Sequence, residues 1–294
     1  MDATIEDFVE HLRIERGLSA NTLSAYRSDL NQFREYMARA ERGSWSVPPA
    51  FVRQFMNELV QREYEPSSQA RKLAALKSLY RYLLSSGVVS SDPTAGLDGA
   101  RVKKRLPQTL SRAQVERVLQ EAARGREPDN LRDRAMLEAL YATGMRVSEL
   151  AALDLADVDQ AEETITLARN GAGERRVPLR GRALAAVEDY LAAGRARLKP
   201  SADEPALFLN HRGARLTRQG FWLIVKTYAR RAGIKAHITP HTLRHSFAEH
   251  RLRADGNVRQ VQRMLGHASL ATTQIYAELA AARHDDHEAV ADAG

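Results

Sequence analysis

Three short segments in the second half of the chain gather side chains that bind anions or move protons. His241-Thr242-Leu243-Arg244-His245 follows directly on Pro240. Proline suits a helix's first turn, so this segment reads as a helix start, where free N–H groups and the dipole favour an anion. In Ala142-Thr143-Gly144-Met145-Arg146-Val147-Ser148-Glu149-Leu150, Arg146 comes straight after a turn at the head of another helix, with Glu149 one turn on to hold it. Leu265-Gly266-His267 is followed by Tyr276 within Thr272-Thr273-Gln274-Ile275-Tyr276. The His241 to His245 spacing also suits a metal pair. The zinc-protease pattern, however, requires Glu where Thr242 stands, and no cysteine ligand exists, so no metal is assigned. The same absence restricts any nucleophile to Ser, Thr, Tyr, Lys or a carboxylate. Taken singly, each segment also has an ordinary structural reading. The two histidines would cap a helix start, Arg146 would pair with Glu149, His267 would close a helix at Gly266, and Tyr276 would sit on an amphipathic rim.

The elements that must position these residues can be read from apolar periodicity and turn chemistry. Thr4, three residues before Asp7, suggests an N-cap for a helix carrying Phe8, Val9 and Leu12 and ending at Gly17. A second helix starts near Ser19 or Asn21, with Leu23, Tyr26, Leu30, Phe33 and Met37 on one face. Pro48-Pro49 opens a third with Phe51, Val52, Phe55, Met56 and Leu59; a fourth turns Leu73, Leu76, Tyr80, Leu83 and Leu84 inward and ends at Gly87. Four such helices make a small bundle. Beyond position 108, helices are expected at 112–123, 130–142, 146–153, 181–193, 218–232, 241–253, 257–265 and 270–277. Thr164–Leu167 and Arg176–Leu179, flanking Gly171-Ala172-Gly173, predict a β-hairpin, and Ala206–Leu209 a short strand.

Length and charge narrow the function. At 294 residues the prior is two domains. With 44% hydrophobic and 28% charged residues, no run approaches membrane-spanning length. The acidic first residues lack a secretory signal's basic and apolar segments, so a cytoplasmic location is expected. The net charge of +7 is unevenly placed: residues 1–98 sum to −1, the segment 99–108 carries four cations and no acid, and 109–294 adds +4 despite an acidic tail. Arg101, Lys103, Lys104 and Arg105 form a basic strap without helical or strand period, the electrostatic footprint of a protein lying on a polyanion. A high pI serving only solubility is the alternative that charge by itself leaves open. The expected architecture is mainly α: a four-helix domain over 1–98, a linker over 99–108, and a mainly helical domain with a small antiparallel sheet over 109–294.

Arg146, His241-x-x-Arg244, Leu265-Gly266-His267 and Tyr276, in this order, resemble the tyrosine recombinase (phage integrase) family, and its Xer-like members in particular. Ser19-Ala20-Asn21-Thr22-Leu23-Ser24-Ala25-Tyr26-Arg27-Ser28-Asp29-Leu30 is similar to the same family's SAM-like core-binding domain, so the resemblance spans nearly the whole chain. It implies a site-specific DNA recombinase with a catalytic domain at 109–294. Two arginines would offer parallel donors to the nonbridging oxygens of a phosphodiester, where charge builds during attack. In this reading Tyr276 is the nucleophile, and His241 and His267 add donors to the phosphate. A free phenol, with a pKa of about 10, needs both a cationic pocket and a base, and His241 is expected to take its proton. Glu149 and His245 support the site, while Arg169 and Arg175 join the strap in contacting DNA. A 3'-phosphotyrosyl bond conserves the energy of the broken linkage, so no cofactor and no metal are called for. The implied partners are a double-stranded recombination site and four protomers on it, identical or mixed, with an FtsK-type DNA translocase as a candidate activator and no membrane. The implied role is Xer-like chromosome or plasmid dimer resolution, with phage-type integration as an alternative.

One position departs from the family's pattern. Counting back from Val177-Pro178-Leu179, Asn170 stands where the family's hairpin usually carries a lysine that protonates the leaving 5'-oxygen. An amide cannot supply a proton, and an arginine holds its own too tightly. No lysine lies between Lys104 and Lys199. Another residue then supplies the acid, or turnover is reduced, or the chain is an impaired family member acting as a sequence-specific DNA-binding protein.

Overall fold

A computed structural model describes residues 1–16, 18, 20–99, 107–167, 174–267 and 269–291, the last ten of these by backbone alone. The chain divides into two compact units, Met1–Arg105 and Leu106–Gly294. Arg101, Lys103, Lys104, Arg105, Arg169 and Asn170 lie outside the described residues.

The first unit is four helices: α1 (Asp2–Arg16), α2 (Ala20–Arg39), α3 (Pro49–Gln61) and α4 (Pro66–Ser85). The apolar faces read from periodicity form its core: Phe8 and Leu12 of α1, Leu30, Phe33 and Met37 of α2, Val52 and Phe55 of α3, and Leu76, Tyr80 and Leu83 of α4 are all buried. Two expectations are corrected here. Helix α1 starts at Asp2, so Thr4 lies inside its first turn rather than capping it. Leu84, expected inside, is 44% exposed, because it follows Leu83 by one residue and points around the helix from the buried stripe. A buried ion pair, Asp29 to Lys72 at 2.8 Å, ties α2 to α4.

The second unit contains α5 (Arg112–Ala123), α6 (Pro128–Thr143), α7 (Val147–Ala152), α8 (Arg182–Asp189), α9 (Arg218–Arg231), α10 (Pro240–Asp255), α11 (Val258–Leu265) and α12 (Leu270–Ala291). Its sheet is antiparallel in the order β1 (Val158–Asp159), β2 (Thr164–Leu167), β3 (Arg175–Pro178), with Ile165 opposite Val177. The strand expected at 206–209 is instead held by two isolated bridges, Ala206 to Asp154 and Leu209 to Arg215. Its apolar run reflects burial, since Ala206, Leu207, Phe208 and Leu209 are at most 2% exposed. Helix α8 passes into a widened turn at Tyr190–Gly194 and a tightened one at Arg195–Leu198. Helix α12 runs well beyond the expected 270–277.

Helix α10 is the unit's central support: Thr242, Leu243, Arg244, Ser246, Phe247, Ala248, Glu249 and His250 are all buried. Its start is capped by a reciprocal pair, in which Thr239 Oγ1 accepts from the Thr242 N–H and Thr242 Oγ1 accepts from the Thr239 N–H. The histidines are therefore not needed as caps. Gly144 ends α6 with φ +62°, and a Cβ there would lie 2.2 Å from Phe247 of α10. Only glycine permits that approach, which brings Arg146 and the start of α7 beside α10.

Candidate active site

Arg244 leaves α10 almost fully buried, at 5% exposure, and its donors are held by the ends of two neighbouring helices. Nη1 donates to the Gly144 carbonyl at 2.6 Å and Nη2 to the Leu265 carbonyl at 2.8 Å. Nη2 also lies 3.1 Å from His267 Nε2. Burial, reinforced by the nearby Arg146 charge, lowers the Arg244 pKa to about 10. That is still far above neutral pH, so the guanidinium stays charged.

Arg146 stands one residue before α7, and Glu149 closes the turn, its Oε2 accepting the Arg146 backbone N–H at 2.6 Å. The Arg146 guanidinium donates to Glu149 Oε1 at 3.0 Å and to the Gly266 carbonyl at 3.1 Å. Its side chain is 38% exposed, so of the two arginines this one is open to an incoming anion. Glu149 takes a second arginine as well. Arg175, on β3, donates Nη1 to Oε1 at 2.7 Å and Nη2 to Oε2 at 2.9 Å, while its Nε donates to the Met264 carbonyl at 3.1 Å. Burial pushes the Glu149 carboxyl up, but the hydrogen bonds from Arg175 and the Arg146 backbone outweigh it and hold the pKa below the usual range. Charge-assisted hydrogen bonds of about 1.5–3 kcal/mol each account for that sign.

Tyr276 comes from α12, and its side chain is buried among Phe247, Leu252, Val261, Leu265 and Leu279. Its ring lies between two imidazoles, with centroids 5.4 Å from His245 and 6.1 Å from His267. The phenol oxygen is 2.7 Å from His245 Nδ1. Burial raises the Tyr276 pKa, against an opposing pull from Arg244, so the phenol keeps its proton at neutral pH. Burial, with the His241 and Arg244 charges adding to it, lowers the His245 pKa to about 4. The partner facing the phenol is thus a neutral imidazole, the form that accepts a proton.

Five expected site residues, Arg146, Glu149, Arg244, His267 and Tyr276, are linked through one set of contacts with His245. His241, the expected base, lies exposed one turn before His245, its ring centroid 6.3 Å from the His245 ring. The imidazole in contact with the phenol is His245, to which the sequence assigned only a supporting place. Arg175, expected on DNA, is 13% exposed and engaged with Glu149. Two further features escaped the sequence reading. Thr273 Oγ1 lies 2.9 Å from His267 Nδ1, and Thr273 is fully buried. A groove of about 520 Å³ beside the segment leading into α10 is lined by Lys226, Arg230, Lys235 and His237. Lys226 and Arg230, four residues apart on α9, could have been noticed as a basic pair on one face. Among the described residues, no group of three His, Asp or Glu side chains could hold a metal ion, and no helix is long and apolar enough to cross a membrane.

The arrangement can grip a tetrahedral anion with arginine donors and present a phenol with an adjacent proton acceptor. The profile of the phage integrase family matches residues 108–283, and that of the family's N-terminal SAM-like domain matches residues 5–87. The chain belongs to the phage integrase family. It is 47% identical over 277 residues to tyrosine recombinase XerC of Herpetosiphon aurantiacus, covering 94% of this chain and 90% of that protein. It is 40% identical over 290 residues to tyrosine recombinase XerD of Shewanella oneidensis, covering 97% and 96%. The crystal structure of XerH site-specific recombinase bound to palindromic difH substrate, a post-cleavage complex, shares the fold at a TM-score of 0.78 and 21% identity, over 99% of this chain and 85% of that one. The chain is thus a tyrosine recombinase, an enzyme of site-specific DNA cleavage and rejoining.

Proposed function

We propose that the chain is a Xer-like recombinase that resolves chromosome or plasmid dimers, with Tyr276 as the nucleophile. The observation that carries this reading is the chain of contacts from Arg146 and Arg244 through His267 to the Tyr276 pocket. Arg146, the more open cation, meets the scissile phosphate first, and Arg244 supplies the deeper positive charge. The Tyr276 oxygen attacks phosphorus as His245 Nδ1 takes its proton, with exposed His241 beside it as a route for that proton to solvent. The bond to the 5'-oxygen breaks, that oxygen leaves as a hydroxyl once protonated, and a 3'-phosphotyrosyl linkage remains. Attack by a 5'-hydroxyl from the partner duplex reverses the step on a new strand.

Each such site acts on one strand, so exchange between two duplexes takes four protomers, and the Xer relatives support the dimer-resolution role. The 99–108 strap and the Lys226, Arg230 and Lys235 groove are proposed to lie on phosphates. A cytoplasmic location and activation by an FtsK-type translocase belong to the same reading. Asn170 favours a second reading, a family member that binds its site but turns over poorly. Sequencing genomic fragments captured by the protein, then joining two labelled copies of the recovered site, separates the two. Reciprocal recombinant products support the recombinase, and occupancy without strand exchange supports the binding protein.

A further inference from the structure

His267 sits between a donor and a hydroxyl, and that decides where its proton is. Arginine has no acceptor, so at 3.1 Å the Arg244 Nη2 donates and His267 Nε2 accepts. A neutral ring with Nε2 unprotonated must carry its hydrogen on Nδ1, where Thr273 Oγ1 waits 2.9 Å away as the acceptor. Thr273 is wholly buried. It lies one helical turn before Tyr276 on α12, so the element that delivers the nucleophile also touches the histidine behind Arg244.

We infer that Thr273 is a positioning residue that accepts from the Nδ1–H of His267, holds the ring where Nε2 accepts from Arg244, and thereby keeps Arg244 oriented for the phosphate. With the opposite tautomer, an Nε2–H would face the Arg244 N–H, donor against donor, even though the Thr273 hydroxyl could turn to donate to Nδ1. The guanidinium would then keep the Gly144 carbonyl at Nη1 and the Leu265 carbonyl at Nη2 but lose its contact with the imidazole. Thr273 touches no reacting atom; it acts through His267.

This inference rests on the proposed phosphate-handling role of Arg244, and its test separates the two. In the full-length chain labelled with ¹⁵N-histidine, long-range proton–nitrogen spectra report the tautomer without DNA, with His267 assigned by its loss in His267→Gln. The native protein is expected to show His267 protonated at Nδ1. Thr273→Val, which keeps the shape and removes the hydroxyl, leaves the Nδ1–H without its acceptor and should shift the His267 Nδ1 resonance away from its native position. It should also slow single-turnover cleavage by about 10–100-fold, the typical scale for losing a partner that orients a histidine, at unchanged half-saturating DNA concentration. Thr273→Ser should restore both readings. A native His267 protonated at Nε2 overturns the inference, as does Thr273→Val cleaving at the native rate. If native protein shows the expected tautomer yet forms no adduct with DNA, the failure lies with the proposed active site and not with Thr273.

Discussion

The phenol oxygen of Tyr276 is hydrogen-bonded to Nδ1 of His245 at 2.7 Å, while His241, one turn earlier on α10, is exposed. A proton acceptor must reach the proton it takes, and of these two histidines it is His245 that does. His245→Gln should therefore slow covalent capture of DNA by about 10²–10⁴-fold, the usual contribution of a positioned base, with His241→Gln costing less. Single-turnover capture by both variants on one nicked substrate makes the comparison. A larger loss in His241→Gln would return the base to that residue.

Arg175 engages all three of its guanidinium nitrogens, two on Glu149 and one on the Met264 carbonyl. Arg175→Ala should destabilise the protein by about 1–3 kcal/mol, because Glu149 loses its bidentate partner in a mostly buried place. Cleavage should slow as Glu149, which holds Arg146, loses the partner that fixes it. The slope of DNA affinity against salt should stay as it is, whereas loss of a phosphate contact would reduce it by about 1. Urea unfolding and salt titration on the same variant distinguish a holder of the site from a DNA contact.

His245 and His267 are both held near pKa 4 by burial, against an ordinary value of about 6.5. Between these values the unfolded chain binds protons that the fold refuses, so stability is present above about pH 6.5 and falls as pH drops toward 4. Thermal unfolding should show a clear drop from pH 7 to pH 5, and His245→Asn should flatten it. An equal drop in the variant would place the pH dependence elsewhere.

Position 170 offers a gain-of-function test. If the hairpin reaches the cleaved strand as the family's does, Asn170→Lys restores a general acid and should accelerate cleavage of an ordinary phosphodiester by about 10²-fold or more. A substrate with a 5'-bridging sulfur, whose thiolate leaves without protonation, should gain far less. Equal rates for the native chain and the variant on the ordinary substrate would show that the acid comes from another residue.

Much of the fold was legible because its signals are local. Leu30, Phe33 and Met37 repeat at helical spacing and all three are buried, and Pro240 marked the start of α10 correctly. β1 was missed because two residues cannot show an alternation. The run 206–209 was misread as a strand because its bridging partners, Asp154 and Arg215, lie outside any local window. The site followed the same divide. Arg146 with Glu149 is a contact within one turn and could be read, whereas Arg175 reaches Glu149 from a different element. The choice between His241 and His245 depends on which side of α10 meets α12, and no spacing within either helix encodes that. Thr273 carried no signal at all until His267 was seen against it.

Covalent capture on a nicked recombination site, followed by peptide mapping of the trapped complex, tests the central claim most directly. Loss of the short fragment beyond the nick prevents religation, so any phosphotyrosyl enzyme accumulates. The account predicts one adduct, a 3'-phosphate on Tyr276, absent from Tyr276→Phe while that variant binds the same DNA as well as the native chain does. An adduct that persists in Tyr276→Phe, or one mapped to another residue, would contradict it.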